Sequence, residues 1–131
     1  MSTRKDILLI KTFALPAAAG TVQSQAFDLF EAETKNDIHN MHAQLEVSLP
    51  GSLTLPASTS LTVSVESSDA ADFTTDKQSF VLGTLTPGTH KDQKWQAKPS
   101  EKPKRYWRAV ITTTGSTGDL SAVSAEFAIV F

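Results

Sequence analysis

Polar and apolar residues alternate along much of this chain. In 43–50, Leu45, Val47 and Leu49 alternate with Gln44, Glu46 and Ser48; in 60–67, Leu61, Val63 and Val65 alternate with Thr62, Ser64 and Glu66. In 121–131, Val123, Ala125, Phe127, Ile129 and Phe131 fall on one face, with Glu126 on the other. Successive strand side chains point to opposite faces, so this period of two predicts strands with one apolar and one wetter side. Half-buried antiparallel strands have that character, whereas buried parallel strands are apolar throughout.

Weaker strand patterns occupy 6–13, 24–30, 78–83 and 93–98, and together with 104–114 they bring the expected number to about eight. The separators are rich in turn formers: "PAAAG", "LPGS", "LPAS", "SSDAAD", "LTPGT" and "TTGSTGD". Gly, Pro, Asp and Ser supply turn geometries or cap them with side-chain oxygens. Many short strands with this punctuation predict an all-β fold, an antiparallel β-sandwich of jelly-roll or similar type. Whether the strands connect as in a jelly roll or an immunoglobulin domain does not follow from local pattern. The stretch 30–44 has good helix formers without an apolar stripe and is expected to be a loop. Residues 1–20 are expected to form an N-terminal arm or the first strand, and 21–131 the sandwich.

The segment "KPKRYWRAVITTTG", 102–115, poses the sharpest functional question, because Lys104, Arg105 and Arg108 bracket Tyr106 and Trp107. On a strand, Trp107, Ala109 and Ile111 form a core-facing row. Tyr106 and Arg108 then point outward, with Arg105 near the strand's start. The pleat divides the basic residues between two faces, so they make no continuous stripe for a nucleic-acid backbone. The segment reads first as a core strand entered from a charged loop, and second as a partner-docking patch of Arg105, Tyr106 and Arg108, since Tyr and Arg bury area while keeping a polar handle.

The chain has 131 residues, enough for one domain that needs no metal or disulfide to hold it. Its formal net charge is −2, which argues against a protein built to neutralise phosphate. It contains no cysteine, so thiolate chemistry is excluded and synthesis in a reducing compartment fits. The apolar run "ILLI" is too short for a membrane span or a usual signal core, and no membrane association or export is expected. Asp37, His39 and His42 resemble a metal cluster on paper, but neither strand nor helix geometry gathers all three, and no second ligand group has the right spacing. No nucleophile elbow occurs, and no two carboxylates can be placed across a cleft. "SSDAADFTTD" lacks the glycine and terminal acid of a calcium loop and reads as a turn capped by Asp and Ser. The chain is therefore expected not to be an enzyme, with no catalytic residue, cofactor or metal.

Several segments taken together resemble the jelly-roll cement, or decoration, proteins of tailed-phage heads. They are "SQAFDLF" (24–30), "LTVSVESSDAADFTT" (61–75), "KRYWRAVITTTGSTG" (104–118) and "LSAVSAEFAIVF" (120–131). The resemblance spans most of the chain from Ser24 onward and is one of strand character and order. It implies a structural protein on the outer capsid surface, made in the host cytoplasm. Such a protein bridges copies of the major capsid protein and self-associates at a symmetry axis, as a trimer or a dimer. It implies neither nucleic acid nor membrane as a partner.

Two segments, 11–20 and 49–58, read as apolar loops that could dock on a partner. Leu9, Phe13 and Leu15 are accordingly candidate shell contacts of the arm. Deleting 1–20 is then expected to abolish attachment and leave a cooperative fold. The alternative function is a carbohydrate- or receptor-binding β-sandwich of a phage tail or adhesin. Its signature would be an exposed Trp95 beside polar side chains, with Tyr106 or Trp107.

Overall fold

The computed structural model describes residues 5–28, 44–97, 105–115 and 119–130, with the side chains of 5–9 and of 130 left out. Among these residues the secondary structure is β-strand throughout. The strands are β1 (Lys5–Ala14), β2 (Gly20–Gln23), β3 (Phe27–Asp28), β4 (Gln44–Leu55), β5 (Ser60–Ser68), β6 (Gln78–Leu85), β7 (Gly88–Ala97), β8 (Tyr106–Thr114) and β9 (Ser124–Val130). One sheet has the order β1-β9-β4-β7; the other has the order β2-β8-β5-β6, with β3 also on β8. All pairings are antiparallel.

The pairing is nested. β1 pairs with β9, β2 and β3 with β8, β4 with β7, and β5 with β6. The chain is thus one long antiparallel ribbon doubled back at the β5–β6 connection. Two further pairings, β9 with β4 and β8 with β5, roll that ribbon into two facing sheets. A doubled ribbon rolled in this way is a jelly roll, which settles the connectivity that local pattern left open.

The sheets close over the residues that the alternation places inside. Leu45, Val47 and Leu49 of β4, Leu61, Val63 and Val65 of β5, Trp107, Ala109 and Ile111 of β8, and Ala125, Phe127 and Ile129 of β9 are all buried in one core. The rings of Phe27 and Phe127 meet at 5.1 Å in a tilted pair. Each large side chain buried here contributes roughly 1.5–3 kcal/mol of hydrophobic stabilisation.

β2 and β3 act as two pieces of one edge strand. Ser24, in the gap between them, donates its N–H to Ala109 O and accepts the Ala109 N–H on its hydroxyl at 2.9 Å. The side chain thereby stands in for a backbone carbonyl and keeps the β8 ladder satisfied.

Two segments read as apolar docking loops are part of the sandwich. Residues 5–14 form β1, so the body of the expected arm is a sheet strand. Phe13 packs against the core, and Leu15 is 2% exposed within it. Phe13 and Leu15 therefore face inward instead of toward a shell; Leu9 lies on β1, with its side chain outside the described set. In 49–58, the "LPGS" sequence bends β4 without ending it. Register passes from Leu49↔Gln93 to Ser52↔Lys91, so Pro50 and Gly51 oppose Asp92 alone, as in a β-bulge. Gly51 takes a φ of 84°, and its N–H donates to the Asp92 carboxylate at 2.9 Å. The ladder to β9 has already ended at Ser48↔Glu126, so Pro50 removes no donor that β9 requires. Leu53 and Leu55 then return to the core.

Candidate functional site

The basic-aromatic segment opens β8 at one end of the second sheet. Register with the buried Val65↔Ala109 and Ser67↔Trp107 pairs puts Trp107 inward and Tyr106 and Arg108 outward, as the pleat requires. Trp107 is 5% exposed, and its ring stacks on Phe80 of β6 with centroids 6.0 Å apart.

The two outward arginines have partners within the molecule. Arg105 forks onto Asp28, which pairs with Tyr106 across the β3–β8 ladder; the contacts are 3.1 Å from Nε to each oxygen and 2.8 Å from a terminal nitrogen. Its guanidinium also lies 5.1 Å from the Tyr106 ring centroid. The Arg105 side chain remains 46% exposed at the rim, so this pair adds at most about 1 kcal/mol.

Arg108 is more deeply engaged. Its Nε and a terminal nitrogen both donate to one Glu66 oxygen at 2.8 Å, and Lys77 Nζ lies 3.5 Å from the other. Phe73, from the β5–β6 connection, covers the guanidinium at 4.1 Å. Arg108 thus serves to fasten that connection onto the sheet, a role the spacing of charges in the sequence does not show.

The fastening loop is the "SSDAADFTTD" stretch, and it is a capped turn. Ser68 Oγ accepts the Ala70 N–H and donates to Thr75 O at 2.6 Å. The Asp72 carboxylate accepts both the hydroxyl and the N–H of Thr74. Those bonds, the hydroxyl first, hold the Asp72 carboxyl below the usual carboxylate range; Ser121 does the same to Asp119. Phe73 and Asp76 adopt φ values of 58° and 49°, the left-handed region that side-chain-bearing residues enter at a cost.

The outward face of the second sheet has a different character. Thr21, Thr112, Thr62 and Thr84 lie in register in one row across all four lanes of the sheet. Thr21 and Thr112 share a 3.0 Å hydrogen bond between hydroxyls, and Thr62 and Thr84 a weak one at 3.4 Å. The next row holds Gln23, Val110, Ser64 and Val81. Ionised groups on this face, among the described residues, gather at one end of the sheet, in the Glu66–Arg108–Lys77 cluster and the neighbouring Asp28–Arg105 pair. The face was not singled out from sequence, because Thr and Ser on the wet side of a strand look ordinary until register lines them up.

Beside this face runs β6, which has one strand neighbour, β5, among the described residues. Its sequence carries no charge, and Phe80 and Val81 are 45% and 69% exposed.

Trp95 belongs to the interior side of β7. It packs against the core and lies over Gly83 of β6, where a Cβ would sit 2.4 Å from the indole Nε1. The side chain thus bridges the gap between the sheets at their β6–β7 side, unlike the open platform that sugar stacking needs. His90 is half-buried, with Nε2 2.8 Å from Thr86 O. No group of three His, Asp or Glu side chains able to hold a metal occurs among the described residues. Asp37, His39 and His42 lie outside them.

No protein-family model, curated protein or solved structure matches the chain.

Proposed function

We propose that this protein is a non-enzymatic decoration, or cement, protein of a tailed-phage head, seated on the outer surface of the major capsid protein lattice. The observation that carries the reading is the outward face of the second sheet. Interface centres are depleted in charged residues, and this face presents an uncharged row of threonines, Thr21, Thr112, Thr62 and Thr84, on a two-sheet body. The fold adds support of a general kind, since jelly rolls recur in viral capsids, though they also recur in lectins. Arg105 and Tyr106 border the face and supply the polar rim that such an interface uses. Each copy can bind weakly and still hold, because repeated contacts over a symmetric lattice raise the effective affinity.

The test is co-sedimentation with tailed-phage heads that lack the protein. The expected result is that wild type pellets with the heads to saturation, while Thr112→Arg, which places a charge in the middle of the face, pellets at least tenfold less with its fold retained. Wild type remaining in the supernatant would reject the capsid role. Equal binding by Thr112→Arg would reject this face as the contact.

A further inference from the structure

We infer that β6 is a self-pairing edge, through which two copies of this chain join antiparallel about a two-fold axis into one continuous sheet. The inference stands apart from the capsid reading, since it concerns the protein alone in solution.

The four edges of the sandwich are unequal. β1 carries Lys5, Asp6 and Lys11 in its sequence. β7 carries Lys91, Asp92 and Lys94, and it faces the Pro50–Gly51 bulge with Asp92 at a φ of 49°. The β2–β3 edge consists of a four-residue and a two-residue piece. Charges, bulges and short strands are the devices that keep sheet edges from pairing with other chains.

β6 has little of that protection. It runs eight residues, Gln78–Leu85, without a charge or a proline, and its two most exposed large apolar side chains are neighbours, Phe80 and Val81. Its one irregularity opposes Val63 and Ser64; from Gln78 to Val81 the register with β5 is unbroken. That regular stretch is where a further strand can add.

Charge selects the occupant. An antiparallel two-fold lays a strand against itself, so any charge on β6 would meet a like charge nearby; there is none. A foreign charged strand would find nothing on β6 to read. Lys77, just before the strand, already faces its own chain's Glu66 at 3.5 Å. Identical strands are therefore the partner that this edge fits best, with Phe80 and Val81 of both copies burying one another. A strand pair of this length buries less than the roughly 1,200 Å² of a standard interface, so association depends on concentration.

Sedimentation velocity from micromolar to near-millimolar protein tests this, with amide exchange as a second readout. Wild type is expected to pass from monomer to dimer, with the amides of 78–81 slowing as concentration rises. Val81→Lys is expected to stay monomeric with an unchanged circular dichroism spectrum and melting. Lys94→Glu, on the β7 edge, is expected to dimerise as wild type does. A wild type that stays monomeric throughout, or a dimer that Val81→Lys leaves intact, overturns the proposal. So does a monomer whose binding to heads requires Val81, because the edge would then serve a shell subunit.

Discussion

Glu66 receives Arg108 and Lys77 beneath a phenylalanine ring, and its side chain is 11% exposed. Removing it would leave Arg108, itself 18% exposed, with its main acceptor gone while still partly desolvated. Hydrogen bonds to charged groups contribute about 1.5–3 kcal/mol, so Glu66→Ala is expected to destabilise the fold by that amount in chemical denaturation. Phe73→Ala should loosen the 69–77 connection, and a double-mutant cycle between Phe73 and Arg108 should show coupling of about 0.5–2 kcal/mol. Full additivity would mean the ring only shields the pair. The sequence shows at this scale that Tyr106 and Arg108 face outward, because a pleat has two sides. It hides the destination of Arg108, since Glu66 and Phe73 reach it through strand register and a loop fold.

At the scale of the strand, Gly83 and Trp95 show why one position tolerates no side chain. A methyl at Gly83 would strike the indole, and the neighbouring atoms belong to a rigid ring. Overpacking of that kind costs about 1–3 kcal/mol, so Gly83→Ala is expected to lower thermal stability, and Trp95→Leu in the same chain to recover part of the loss. The strands most legible in the sequence were those with clean alternation, β4, β5, β8 and β9, because one buried face fixes period and register together. β3 lies inside the strand expected at 24–30, whereas β2 lies outside every expected strand, since four residues are too short to show a period and Ser24 is needed to bridge the gap between the two. The Pro50–Gly51 pair read as a turn because the chemistry of a turn and of a bulge is the same; Asp92 across the ladder decides between them. β6 read as an ordinary weak strand, and its meaning as an edge depends on sheet order.

For the molecule as a whole, nesting makes nearly every pairing distant in sequence. Lys5 pairs with Val130, and Gly20 with Thr113. Chains dominated by such non-local pairing fold in milliseconds to seconds, and stopped-flow refolding is expected to fall in that range. Removing residues 1–15 takes away β1 and the buried Leu15, so a truncated chain is expected to melt at a lower temperature or fail to fold, and lost head binding by it would say nothing of attachment. An all-β sandwich could be read from alternation and turn chemistry. The jelly-roll order could not, because connectivity is a property of which strands meet. The same doubling brings Lys5 and Val130 side by side at one pole of the sandwich. A short linker would therefore suffice to join these two positions into a circular backbone.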